Sequence, residues 1–125
     1  MKTKAERQVF EKVGRRAELW AAGYLRLKRY RILARRYKTK QGEIDTIARK
    51  GKIIVIIEVK YRKDMKNIHE SVSFKNSQRI MNAAELYLTQ NPVFIEKGFE
   101  LRFDIIQVIG RYKIRHIVDL SLIHI

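Results

Sequence analysis

From Lys4 to about Lys28, apolar residues recur at intervals of three and four, at Val9, Val13, Ala17, Trp20, Ala21 and Tyr24. This spacing draws one stripe along an α-helix. The opposite face is almost wholly basic, except that Glu11 and Glu18 lie seven residues apart and so share a side. Beyond the helix the rhythm changes: Tyr30 to Tyr37 is β-prone, and Thr39 to Gly42 supplies a turn. Glu43 to Arg49 alternates, with Glu43, Asp45 and Ile47 on one face and Ile44, Thr46 and Ala48 on the other. Lys50-Gly51 turns the chain back into Ile53 to Lys60, whose Ile and Val content suits a central strand covered on both faces. Three consecutive strands predict a meander. After a polar loop from Tyr61 to Glu70, the residues Ile80, Ala83, Ala84, Tyr87 and Leu88 mark a second amphipathic helix that ends near Asn91-Pro92. Leu101 to Val108 and Tyr112 to Val118 read as two strands joined around Gly110. The order α-β-β-β-α-β-β predicts an α/β fold: a mixed sheet of about five strands with helices on its faces, the second helix being a crossover.

At 125 residues, with a single proline and no repetitive or Gly/Ser-rich stretch, the chain is expected to form one domain over residues 1–125. The absence of cysteine rules out a disulfide framework and a thiolate zinc site and suits a reducing compartment, so cytoplasm is the expected location. Met1 to Arg16 is polar, and the longest apolar run, Ile53 to Ile57, is far too short to span a bilayer, which argues against secretion and membrane insertion. Charge narrows the partners further. The chain has 28 Lys and Arg against 13 Asp and Glu, a net +15, and the excess is concentrated between Met1 and Lys40. Such a surface attracts phosphate backbones through counterion release, whatever the base sequence. Trp20, Tyr24 and Tyr87 fall at helical spacing among aliphatic residues and are expected to pack in the core. The three histidines, His69, His116 and His124, show no metal-ligand spacing.

Candidate chemistry is concentrated in Gly42-Glu43-Ile44-Asp45 and, thirteen residues after Asp45, Glu58-Val59-Lys60. Glu58 and Lys60 are two apart on a strand and project from one face. If the Gly51 turn makes the two strands antiparallel neighbours, Asp45 lies beside Glu58 on that face. Adjacent carboxylates repel and are stable together only around a cation or proton, and hard oxygen ligands favour Mg2+ or Mn2+. A metal held there activates water for phosphodiester hydrolysis, with Lys60 orienting or deprotonating that water or neutralising charge in the transition state. A Glu-x-Lys strand end also suits a plain cross-strand ion pair. Glu43 reads as an exposed strand residue, and Arg102 and Asp104 share a strand face as an ion pair.

Taken with Gly14-Arg15-Arg16-Ala17-Glu18, Ile57-Glu58-Val59-Lys60-Tyr61-Arg62, Lys75 with Arg79-Ile80, and Arg102-Phe103-Asp104, these segments make a longer pattern. In order and spacing it resembles the YraN family of small bacterial proteins, related in fold to Holliday-junction resolvases and the restriction-endonuclease-like nucleases. The resemblance implies a three-layer restriction-endonuclease-like fold, metal binding by Glu18, Asp45 and Glu58, and catalysis by Asp45, Glu58 and Lys60. Ile44 stands where that superfamily often has a proline before the first aspartate. Arg15, Arg16, Lys40, Arg62, Lys63, Lys75 and Arg79 are the candidates for gripping nucleic acid.

The sequence therefore predicts a metal-dependent endonuclease acting on DNA, with branched DNA suggested only by the resolvase resemblance. Symmetric cleavage of two strands calls for a homodimer, to which the apolar end, Leu120 to Ile125, is a candidate contributor. Two other readings are a non-catalytic nucleic-acid-binding or adaptor module that keeps the nuclease fold, and a basic structural protein of an RNA-containing particle. All three share one expectation: in a filter-binding titration, affinity for a polynucleotide falls by orders of magnitude between about 50 and 200 mM salt.

Overall fold

The computed structural model describes residues 3–64, 77–119 and 123–124. Its elements are α1 (Lys4–Leu27), β1 (Arg31–Lys38), β2 (Glu43–Lys50), β3 (Ile53–Arg62), α2 (Ser77–Gln90), α3 (Val93–Glu96), β4 (Glu100–Ile109), β5 (Lys113–Val118) and β6 (Ile123–His124). The sheet runs β1-β2-β3-β4-β5, with β6 pairing the start of β4. β1, β2 and β3 form the expected antiparallel meander, β3 and β4 are parallel, and β5 returns antiparallel. The connection between the two parallel strands carries α2 and α3. The architecture is the mixed α/β, three-layer arrangement expected, consistent with a restriction-endonuclease-like fold. The additions are short: four residues of α3 after Pro92 and two of β6. β3 also extends to Arg62, into the segment read as a polar loop.

Alternation along β3 separates two cores. Ile54 and Ile56 pack with Ala83, Ala84, Tyr87 and Leu88 of α2, while Val55 and Ile57 pack with Ala17, Ala21 and Leu25 of α1. Alanines at the α1 contact let the helix lie close to the sheet, and Leu25 adds about 1.5–3 kcal/mol by its full burial. α1 starts at a capping box, Glu6 N–H donating to Thr3 Oγ1 (3.1 Å) and Thr3 N–H to Glu6 Oε2 (3.3 Å). It ends as Arg29 takes a left-handed φ of 69°. Its first turns overhang the sheet, so Val9 is 63% exposed. Trp20, expected in the core, is 44% exposed. The stripe that is buried is narrower, Ala17, Ala21, Ala22 and Leu25.

Strict alternation on β2 also fails at one place. Ile44 and Ile47, expected on opposite faces, both pack in the α2-side core. The residue of β1 between the partners of Thr46 and Ile44 is Arg36, whose φ of 53° is left-handed and twists the ladder beside Asp45.

Beneath α1 lies a buried polar network. Asp104, 1% exposed, accepts hydrogen bonds from Arg102 Nε and Nη2 (2.9 and 2.8 Å) and from His116 Nε2 (2.7 Å). His116 Nδ1 lies 3.0 Å from the Tyr24 hydroxyl, and Arg102 Nη2 also donates to Tyr30 Oη at 2.8 Å. Burial alone would raise the Asp104 carboxyl, but the His116 and Arg102 hydrogen bonds and charges hold it below the ordinary aspartate value. The predicted Arg102–Asp104 ion pair is therefore present, and His116, given no role from sequence, completes it. Because the carboxyl is depressed, its contribution is full above the unfolded aspartate pKa and is lost as pH falls through the folded one. Asp104→Ala, which leaves Arg102 and His116 without their buried counter-ion, is expected to cost about 3–5 kcal/mol at pH 7 in urea unfolding.

Candidate functional site

β2 and β3 pair from Lys50 opposite Ile53 to Thr46 opposite Ile57, and there the ladder stops. One step further along, Asp45 fills the gap: its Oδ2 accepts the Val59 N–H at 2.8 Å, in place of a main-chain acceptor. Glu58 and Lys60 continue the even positions of β3, on the α2 side of the sheet, as alternation predicts. Glu58 Oε1 lies 3.6 Å from Lys60 Nζ, each side chain 28% exposed. Glu58 Oε2 is buried without a hydrogen-bond partner. Asp45 and Glu58, together with Glu43, Ile80, Met81 and Phe103, line a cavity of about 340 Å³ between the sheet and α2.

Gly42 fixes the wall of this cavity. A Cβ on Gly42 would sit 3.0 Å from the Arg79 carbonyl oxygen, so a side chain there would press the β1–β2 turn away from the first turn of α2 by a few tenths of an ångström. Arg79 Nε clamps the same contact by donating to Gln41 O at 2.8 Å. Thr39 Oγ1, which accepts from Gly42 N–H at 2.9 Å, closes the turn. The glycine of the Gly42-Glu43-Ile44-Asp45 segment thus acts by position, bringing the strand that bears Asp45 up to α2.

Glu18 reaches toward the site from α1. It is mostly buried, and its Oε2 pairs with Arg36 Nε at 3.3 Å without the alignment of a hydrogen bond. Neither Arg15 nor a neighbouring lysine provides its counter-ion. Arg36 had no distinguishing sequence signal, since its partner lies across the sheet and its left-handed backbone is invisible in composition. Among the described residues, no three Asp, Glu or His side chains close into one metal-holding group. Asp45 and Glu58 share the cavity, and Glu18 acts on Asp45 through its field.

That field is visible on Asp45, whose carboxyl is pushed up to about 6, first by burial and then by the charges of Glu18, Glu58 and Glu43, against the lowering effect of the Val59 hydrogen bond. Glu43, exposed as expected, still contributes to it. Of the basic candidates, Arg15, Arg16, Lys40, Lys63 and Arg79 are exposed. Arg62 is partly buried, with Nη1 donating to the Tyr61 carbonyl at 3.0 Å. Lys75 and, of the apolar end, residues 120–122 and 125 lie outside the described residues, while Ile123 and His124 form β6 against β4. No helix among the described residues is long and apolar enough to cross a membrane.

Known proteins match most of this framework. The model of the uncharacterised protein family UPF0102 covers residues 17–108, from the buried stripe of α1 to β4. The UPF0102 protein of Agrobacterium fabrum is 48% identical over 115 residues, 91% of this chain and 92% of that protein. A UPF0102 protein of Bartonella bacilliformis is 43% identical over 109 residues, 87% of each chain. One from a Chelativorans species is 46% identical over 105 residues, 84% of this chain and 83% of that one.

The raised carboxyl of Asp45 has a consequence for stability. Its folded value lies above that of an unfolded aspartate, so the folded chain holds the proton more tightly, and stability falls as pH rises from about 4 through about 6. Asp45→Asn keeps an acceptor for the Val59 N–H and removes the charge. It is expected to be more stable than the parent at pH 7, by on the order of 1–3 kcal/mol, and to lose that advantage at pH 4. Thermal melts of both proteins across this range are the check; a variant less stable at pH 7 would contradict the account.

Proposed function

The chain belongs to the UPF0102 family, and we propose that it is a metal-dependent nuclease that hydrolyses phosphodiester bonds in DNA at the Asp45–Glu58–Lys60 site. The observation that carries this reading is an acidic cavity lined by Glu43, Asp45, Glu58, Asp104 and Asp119, in which Glu58 has a buried oxygen without a hydrogen-bond partner and lies 3.6 Å from Lys60, in a chain of net charge +15. A buried, unpartnered carboxylate oxygen is costly unless something cationic satisfies it. An all-oxygen donor set fits Mg2+ or Mn2+ better than softer metals.

Asp45 and Glu58 would hold the ion, and Glu18, paired with Arg36, is the candidate for a third carboxylate. The bound ion supplies a water of lowered pKa and a Lewis acid for the phosphate oxygens. Lys60, tied to Glu58, orients the attacking water or offsets charge on the phosphate as it builds in the transition state. The Val59 N–H keeps the Asp45 carboxylate aimed along the strand gap. Arg15, Arg16, Lys40 and Lys63 are exposed donors for the flanking phosphates. A chain with one such site cuts both arms of a branched substrate only as a two-fold dimer.

The test is cleavage of labelled four-way-junction, duplex and single-stranded DNA with Mg2+ or Mn2+. Asp45→Ala and Lys60→Ala are expected to lower the rate by roughly 10²-fold or more while binding in chelator persists. Binding of every substrate with cleavage of none, under either metal, would replace the nuclease by the adaptor reading. A readout independent of turnover is available. Mg2+ should raise the melting temperature of the parent at pH 7 more than that of Asp45→Asn, because the variant lacks one of the two carboxylates that would hold the ion.

A further inference from the structure

On the other face of the sheet, at the end of β3 and β4, a second and larger cleft of about 690 Å³ opens beside α1. Its walls combine Leu19 and Trp20 of α1 with Tyr61 of β3 and Tyr112 of the β4–β5 turn, and Arg16 and Arg111 stand at its edge. Large apolar side chains are usually hidden, yet Trp20 is 44%, Leu19 56% and Tyr112 68% exposed. The aromatic rings are held in place from behind. Trp20 Nε1 donates to the Tyr112 carbonyl at 3.0 Å, and the ring centroids stand 5.5 Å apart at an angle of 56°, so neither ring covers the other by stacking. The turn itself is anchored, Gly110 taking a left-handed φ of 61° and donating its N–H to Arg62 O at 2.8 Å.

Three features of this cleft match one ligand chemistry. The exposed faces of Trp20 and Tyr112 offer a stacking platform for any base, the arginines match a phosphate backbone, and among the described residues neither ring is covered by a helix or strand. A paired base keeps its faces inside the duplex stack and has none to offer. Tyr61 follows Lys60 on β3, so successive side chains of one strand face the two clefts, the carboxylate site on the α2 side and the aromatic one on the α1 side.

We propose that the Trp20–Tyr61–Tyr112 cleft receives an unpaired base of a DNA strand. The proposal rests on the reading above for the choice of DNA, but not on cleavage. It makes the preferred substrate one with an unpaired or splayed nucleotide.

Trp20 is the single tryptophan of the chain, so its fluorescence reports on the cleft directly. The full chain, in chelator and at low salt, is titrated with a short oligothymidine, with the same strand carrying abasic sugars, and with a duplex of equal length. Quenching by oligothymidine alone is expected. Tyr112→Ala keeps the main-chain carbonyl that holds Trp20 and alters an exposed position. It should weaken oligothymidine binding about tenfold and leave the abasic strand unaffected, while Tyr112→Phe retains parental affinity. Equal quenching by the abasic strand, an unchanged affinity in Tyr112→Ala, or a response to oligouridine without one to oligothymidine would overturn the proposal. So would a Trp20 signal that follows protein concentration alone together with self-association, which would make the cleft an interface between copies. Cleavage without the quenching response removes only the cleft, and quenching without cleavage removes only the nuclease.

Discussion

Side-chain alternation along β3 is the constraint from which both clefts follow. The strand is bonded on each side, to β2 and to β4, so it cannot rotate about its own axis, and each residue is committed to one face. Its first half uses both faces for packing, Ile54 and Ile56 under α2, Val55 and Ile57 under α1. Its second half emerges from the core, and the same alternation now presents Glu58 and Lys60 on one side and Val59 and Tyr61 on the other. A slip of one residue would place the carboxylate under α1 and an isoleucine in the cavity.

Two buried aspartates show how differently the fold treats one chemical group. Asp104 is supplied with a guanidinium and an imidazole, and its charge is stabilised. Asp45 receives one main-chain N–H and three acidic neighbours, and its charge is opposed. The first arrangement fastens α1 and β5 to the sheet. The second stores unfavourable charge where the β2–β3 ladder has opened, the condition under which a cation is bound most strongly. Strain accumulates beside it, since Arg36 adopts a left-handed backbone and holds Glu18.

Periodicity made the main elements legible, because seven of them are long enough to show a repeat. α3 and β6 are too short for one, and a two-residue strand depends on its partner in β4. The Asp45, Glu58 and Lys60 grouping was readable from spacing because all three lie on one meander. What sequence could not supply is contact across the fold. Glu18 finds Arg36 of β1, and His116 meets Asp104 through the β4–β5 pairing. Trp20 followed the helical stripe, yet periodicity gives the direction of a side chain and not the edge of the sheet beneath it. Ile44 departed from its expected face and packs with Ile47 in the core under α2, which alternation alone does not provide.

The parallel pairing of β3 with β4 joins segments separated by the whole of α2 and α3, whereas β1, β2 and β3 are linked by tight turns. Closing a long loop costs more chain entropy than closing a short one, and parallel registry comes slowly for that reason. The order of assembly is thereby biased: the meander brings Asp45 toward Glu58 through local contacts, and Tyr112 meets Trp20 only after the distant half of the chain has docked. The acidic pair is built from neighbouring strands of one meander, whereas the aromatic cleft needs Tyr112 from the far half of the chain.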